Sequence, residues 1–470
     1  MNSRRFSLWA GIVLFLGGCT MAPKYTKPEA PVPPDWPTGP AYGDRTAPAS
    51  SPREALDDWK VFFVSEPMRK VIALALANNR DLRVAALNIE RAQALYRIQR
   101  AALFPHINAG ADGGKARVPP SLSMQPQAIT ERQSSVDLGI SAWEIDFFGR
   151  LRSLKANALE QYLATEEARR SAQIALVAEV ANAYLNLAAD KESLKLAQLT
   201  LDSEQASYDL IRERYEAGRS SELDLRQAQT PPETARVDIA RYTALVAQDA
   251  NALNLLAGVR VQAELLPNEL AAVGALKDIT PDLPSEALTR RPDILQSEHQ
   301  LKAMNANIGA ARAAFFPRIA LTTVVGTASE NLSGLFDSGK NGGWIYAAQV
   351  SLPIFDAGTN LANLKTANAD RDIALAQYEK VIQTAFREVA DALAEQKPVN
   401  DQMKAQQSLV DATAASHRLA TIRYARGADS HLSVLDAERS LYAAQQGEIA
   451  VRLVRLTNMV RLYVALGGGA

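Results

Sequence analysis

Between Thr359 and Arg426 the chain has no glycine and one proline, Pro398, and an earlier run from Arg150 to Ala217 has neither. In the later run Leu361, Leu375, Ile382 and Val389 keep a sevenfold register, with Leu364, Tyr378, Ala385 and Ala392 three positions after each heptad start. That is the seam of a coiled coil rich in small residues. At 1.5 Å per residue such a helix measures roughly 100 Å. No compact globule needs that; a tube or a stalk does. A strand leads into it. Trp344, Tyr346, Ala348, Val350, Leu352 and Ile354 share one face, Ala347, Gln349 and Ser351 the other, and Asp356-Ala-Gly358 forms a corner.

The body is one unit written twice. Ala102-Leu-Phe-Pro105 matches Ala314-Phe-Phe-Pro317 at an offset of 212, and Arg80-Asp-Leu82 matches Pro292-Asp-Ile294 at the same offset. Further on, Gly149, Gly218 and Gly258 match Gly358, Gly427 and Gly467 at an offset of 209. The length change falls between Pro105 and Gly149 or in its copy, where a surface hairpin loop tolerates it. Residues 61–262 form the first repeat and 285–470 the second, joined by a linker at 263–284. Each repeat opens with a helix (65–103; 285–314) that its Phe-Pro junction ends. A β-hairpin follows at 105–146 or 317–355, with strands at 105–116, 134–146, 317–328 and 344–355. Next come a long helix at 150–217 or 359–426 and a returning helix at 219–258 or 430–466. Gly218 and Gly427 occupy the left-handed position that ends a helix, and Ser220/Ser221 and Asp429/Ser430 can cap the next one. Pro231-Pro232 and Pro398 read as local bends, and a true end at Pro398 would shorten the second rod.

The N-terminus carries Arg4 and Arg5, an apolar run from Phe6 to Leu16, and then Gly-Gly-Cys19. Residues 1–18 read as a secretory signal whose apolar core is short for a transmembrane helix. Small residues before Cys19 resemble the bacterial lipoprotein box, which implies cleavage there and a covalent diacylglycerol and N-acyl chain on Cys19; no other cofactor is implied. Residues 19–60 are a proline-rich strap, extended and poor in regular structure. Cys19 is the one cysteine, so no disulfide forms within a chain, and a net charge of −1 leaves no nucleic-acid footprint.

The four strands alternate. Val136, Leu138, Ile140 and Ala142 oppose Ser135, Asp137, Gly139 and Ser141, while Ile319 to Val325 alternate more weakly. Strands of about ten residues cross a bilayer when tilted. Trp143, Trp344 and Tyr346, with Phe315 and Phe316, suit an interfacial girdle. A soluble four-stranded sheet on a helical domain fits the strands equally well; the signal, the lipid box and the repeat favour the membrane. Four strands cannot close a barrel, and lipid tolerates no open edge. Spanning strands would therefore require several chains to share one barrel.

Over nearly its whole length the chain resembles the TolC-like outer-membrane efflux factors, in the OprM/NodT lipoprotein branch. The resemblance rests on Cys19 with Pro23-Lys-Tyr25, Asp58-Trp59 with Phe62-Phe63, Arg290-Arg-Pro-Asp-Ile294, Ala314-Phe-Phe-Pro317, Asp356-Ala-Gly358, Tyr424-Ala-Arg-Gly427 and Leu432-Ser-Val-Leu-Asp-Ala437. It implies a mainly α-helical chain with a transmembrane β-barrel. Three copies would supply twelve strands, four each, continued by a coiled-coil tunnel in the periplasm. It further implies a passive exit duct for toxic compounds, an inner-membrane transporter of the RND type, and a periplasmic adaptor docking at the Gly218 and Gly427 tips. Leu432, Asp436, Arg423, Tyr424 and Asp224 match gate positions. Leu432 would be an apolar constriction, Asp436 a ring of like charge, and Arg423 a partner for a nearby carboxylate. Ser433 stands where the family has another carboxylate. Without the resemblance these charges read as a solvated helix face.

Four scattered histidines and no nucleophile or phosphate-loop motif leave an enzyme without a constellation. Two other readings stay open: the outlet of a type I protein-secretion system, and a lipid-anchored structural stalk without a pore.

Overall fold

The computed structural model describes residues 20–42, 58–123, 126–274, 276–277, 288, 290–337 and 340–468. The expected signal, Cys19 and residues 278–284 of the linker lie outside them. The main elements are α1 (Glu66–Asn78), α2 (Arg80–Ala101), β1 (Ile107–Val118), β2 (Ile129–Ile145), α3 (Arg150–Glu216), α4 (Glu222–Ala257), α5 (Pro292–Ala313), β3 (Arg318–Ser329), β4 (Gly342–Ser351), α6 (Thr359–Ala425) and α7 (His431–Ala465). Two compact units result, one of Met1–Pro28, Ile89–Thr165 and Ser297–Tyr378, the other of Glu29–Asn88, Glu166–Gln296 and Glu379–Ala470.

The first unit holds a four-stranded antiparallel sheet in the order β1-β2-β3-β4, so β1 and β4 are edges. Register decides which side chains share a face. Ile107 opposes Ile140, Ala109 opposes Leu138, and Ala111 opposes Val136. Leu138 opposes Val325, which opposes Trp344, and Thr323 opposes Tyr346. Cross-strand partners point the same way, so these apolar residues line one face, and Ile107, Leu138, Val325, Trp344, Tyr346 and Val350 are all exposed on it. An exposed apolar face of that extent marks an interaction surface.

Trp143 reaches this face only through a bulge. Counted by twos from Ile140 it would point the other way. The register slips between Ile140 and Trp143, so Trp143 opposes Leu321. Ala142 absorbs the extra residue at φ 51 and donates its N–H to Thr322 Oγ1 at 3.1 Å. The last strand is shorter than its alternation suggests. It ends at Ser351, because Pro353 has no N–H for a ladder.

The strap is clamped to the start of α3 and to α5 in the same unit. Thr20 Oγ1 meets Ser153 Oγ at 3.1 Å, and Asn305 Nδ2 donates to the Pro23 carbonyl at 2.8 Å. Gly309 makes the room: a Cβ there would stand 2.6 Å from the Ala22 nitrogen. Lys27 pairs with Glu298 at 3.0 Å, and Lys302 lies 5.3 Å from the centre of the Tyr25 ring.

In the second unit Phe62 stacks on Tyr463 at 4.3 Å, and Phe63 packs edge-on against both rings. The Arg-Arg-Pro-Asp motif is structural. Pro292 opens α5. Arg291 is buried, pairs with Asp293 at 2.7 Å and Glu388 at 2.8 Å, and donates to the Ala465 carbonyl at 2.7 Å. The seam of α6 is buried at Tyr378, Ile382, Ala385, Val389 and Ala392, while Leu361 is exposed.

One expectation needs correction, and the prolines read as local bends lie inside continuous helices. The first helix is two, α1 and α2, because Asn79 turns extended (ψ 134), accepts the Leu82 N–H at 2.9 Å and donates to the Leu256 carbonyl at 2.9 Å. Pro398 does not end α6, whose flanking Leu393 and Val399 are buried. Pro231-Pro232 do not break α4; both are buried within it. Burial of an apolar seam outweighs the missing backbone bonds in each case.

The close approach of α4 to α1 predicts a graded glycine series. Gly258 (φ 68) and Gly218 (φ 69) share a left-handed backbone, but a Cβ on Gly258 would lie 2.4 Å from the Asn78 carbonyl oxygen, whereas Gly218 faces open space. Gly218→Ala should cost about 1–2 kcal/mol for the backbone alone. Gly258→Ala should lower the thermal midpoint further, and equal midpoints would remove the Asn78 contact from the account.

Candidate functional site at the helix turns

The turns at Gly218 and Gly427 are built alike. Gly218 N–H donates to the Tyr215 carbonyl at 2.9 Å and Arg219 N–H to the Arg214 carbonyl at 2.7 Å. Gly427 and Ala428 repeat this with Tyr424 at 2.9 Å and Arg423 at 3.0 Å. Such paired bonds satisfy the last carbonyls of α3 and α6 and need a left-handed residue, which glycine supplies at φ 69 and 71.

Asp224 closes a capping box on α4. It accepts from the Ser221 N–H at 3.0 Å, Ser221 Oγ at 2.8 Å and Ser220 Oγ at 3.1 Å, and its own N–H donates to Ser221 Oγ at 3.1 Å. Those bonds, the Ser221 hydroxyl first, hold the carboxyl below its ordinary range. Asp429 does not cap α7. It takes a two-pronged ion pair from Arg423, through Nε and through Nη2 at 3.0 Å, and Ser430 stands at the cap without a side-chain bond. The expected carboxylate partner of Arg423 thus sits in its own turn.

Tyr424 joins the two hairpins. Arg214 Nη1 donates to its hydroxyl at 2.6 Å, the guanidinium lies 5.6 Å from its ring centre, and the ring packs 5.0 Å from His431. His431 Nε2 shares a hydrogen bond with Ser207 Oγ at 3.1 Å, and burial lowers its pKa. Leu432 is exposed, and Asp436 pairs loosely with Arg439 at 3.4 Å. Leu432, Asp436, Arg423, Tyr424, Asp224, Gly218 and Gly427 are therefore gathered at the two turns. Trp143, Trp344 and Tyr346 belong to the sheet, and Cys19 lies outside the described residues.

The remaining ties between the hairpins were invisible in the sequence. Ser203 Oγ donates to Glu438 Oε1 at 3.4 Å. Beside it Glu204 is only 2% exposed, shares a hydrogen bond with Glu438 and has its Oε2 unpartnered among the described residues. Burial, then the Glu438 charge, push Glu204 up to about 8, with Arg439 opposing. Asp238 accepts from the Tyr442 hydroxyl at 2.8 Å and Gln446 Nε2 at 3.2 Å. Between α3 and α4, burial and Asp249 raise Asp190 to about 6. Each pair joins different helices, so no local spacing announces it. Two carboxyls sharing a proton hold helices together at low pH and repel once both ionise.

The family model described as "outer membrane efflux protein" matches residues 71–259 and 283–468. The chain is 49% identical to the antibiotic efflux pump outer membrane protein ArpC of Pseudomonas putida, over 97% of this chain and 93% of that protein. The toluene efflux pump outer membrane protein TtgC of a second Pseudomonas putida strain matches to the same extent. The open state of the Neisseria gonorrhoeae MtrE outer membrane channel superposes with a TM-score of 0.86 at 35% identity, covering 96% of this chain and 98% of that one.

The Glu204 pair carries a pH prediction. From about 4.5 to about 8 the folded chain keeps a proton that the unfolded chain releases, so this group's contribution falls as pH rises through that window. The thermal midpoint should drop between pH 5 and pH 8.5, and Glu204→Gln should flatten part of the drop. An identical drop in both proteins would show that Glu204 is ionised throughout.

Proposed function

The chain belongs to the outer membrane efflux protein family, and on that premise we propose that it is the exit duct of a pump that expels antibiotics and organic solvents. The observation that carries the reading is the open-edged sheet with an exposed apolar face. Lipid suits the face, but unpaired N–H and C=O groups along β1 and β4 are costly there. Sister chains satisfy them when β1 of one pairs with β4 of the next. Three chains make a twelve-stranded barrel, within the size range of membrane barrels. Trp344, Tyr346 and Trp143 lie on the lipid side as its girdle.

A periplasmic adaptor docks at the Gly218 and Gly427 turns and links the duct to an inner-membrane transporter of the RND type. The duct itself is passive. Its closed state is held at the turns. Leu432 supplies an apolar constriction that resists wetting, and Asp436 a ring of negative charge that Arg439 partly offsets. Arg423 braces the turn through Asp429, and Asp224 acts by fixing the start of α4. Cys19, one residue before the clamped Thr20, carries the acyl chains, and intact-mass measurement of Cys19→Ser should lack their mass.

Purified protein should conduct ions across a planar bilayer, and deleting the gene should sensitise cells to antibiotics or toluene. A protein that never conducts would be a stalk. Arg423→Ala and Asp436→Ala should each raise the conductance of the closed duct several-fold; unchanged conductance in both would remove these residues from the gate.

A further inference from the structure

The β1–β2 hairpin separates its charges by face. On the apolar face the series Ile107, Ala109, Ala111, Gly113 continues to Lys115 and Arg117, and its partner series Ile140, Leu138, Val136, Ser134 continues to Arg132 and Thr130. Lys115 stands directly opposite Arg132. The other face carries Asp112, Glu131 and Asp137, and the Asp137 carboxylate lies 3.1 Å from where a Cβ on Gly110 would be. So, over the paired residues 107–118 and 129–140, three cations and no carboxylate lie on one side, three carboxylates and no cation on the other.

Like charges directly across an antiparallel pair repel. A folded hairpin ordinarily avoids that arrangement or relieves it with a counter-ion. Here Asp112 and Glu131 are close in sequence yet the pleat turns them away. All three cations are exposed and make no ion pair among the described residues. Their height in the sheet is defined. Ser134 opposes Ser329, the last residue of β3, so Arg132 and Lys115 lie one same-face step beyond the end of the apolar field. This is the loop end of the sheet, away from the strand ends that lead into α3 and α6.

Taken with the membrane reading of the sheet, on which this rests, the geometry points to Lys115, Arg117 and Arg132 as a binding site for the phosphate groups of outer-leaflet lipid. The occupant must be anionic, to relieve the cross-strand repulsion. It must sit just above an apolar belt, which describes a headgroup whose acyl chains lie against Val136, Leu138 and Val325. Paired cations grip phosphate oxygens by charge-assisted hydrogen bonds, with arginine able to bond twice. A free phosphate ion satisfies the charge but makes no use of the apolar field below.

The test is retention of lipid by the whole assembled protein. Wild type and a Lys115→Ala, Arg117→Ala, Arg132→Ala triple variant are inserted into vesicles of phosphatidylcholine, with or without bisphosphorylated lipid A, then extracted in mild detergent and weighed by native mass spectrometry. Lipid A should stay with wild type, dephosphorylated lipid A should not, and the triple variant should bind roughly a hundredfold more weakly, at about fivefold per cation. Glu131→Gln, on the opposite face, should leave binding unchanged. Equal retention of phosphorylated and dephosphorylated lipid would overturn the site, as would displacement by millimolar inorganic phosphate alone. A triple variant that no longer assembles, while lipid A fails to bind wild type, would assign the cations to a sister chain's carboxylates instead. Failure of wild type to insert into any vesicle would sink the membrane reading itself, a different result from insertion without lipid preference.

Discussion

A backbone amide in hydrocarbon has nothing to bond except another backbone. That constraint organises this chain. Four strands are enough to build an apolar face and too few to close it, so β1 and β4 end with their ladders half made. The Trp143 bulge brings a further aromatic residue to the apolar face without relieving the edges. On the proposed reading of the sheet as part of a membrane barrel, its edges are satisfied only in an assembly.

At the helix turns a different logic applies. The links between the hairpins are few, polar and tied to titratable groups: Arg214 with Tyr424, His431 with Ser207, Glu204 with Glu438, Asp238 with Tyr442. Each is a modest interaction. The helices themselves are held by their own ladders and by the α6 seam. Separating the hairpins breaks these cross-ties, while the helices keep their own ladders. Parting the hairpins would need an exchange of side-chain contacts and no unfolding.

Much of this was legible from residue order alone. The duplication located both turns, because glycine at the end of a long glycine-free run has one ready structural meaning. The alternation of β3 and β4 and the length of α3 and α6 followed from periodicity. What escaped was everything set by tertiary contact. Asn79 breaks a helix because Leu256 and Leu82 bond its side chain. Pro398 and Pro231-Pro232, read as local bends, do not break theirs, because buried neighbours carry the helix past them. The capping box that Asp224 closes was not read from the sequence, and Asp429 looked like a cap and is an ion-pair partner. Glu204 and Glu438 lie in helices from different repeats and have no equivalents at the repeat offset, so no pattern within either copy could pair them.

The clamp on the strap has a mechanical consequence. Thr20 is bonded to Ser153 and Pro23 to Asn305, so the start of the described strap is held at a set distance from the start of α3. A strap tied down at both points cannot act as a slack tether. Tension along it would pass directly into α3 and α5.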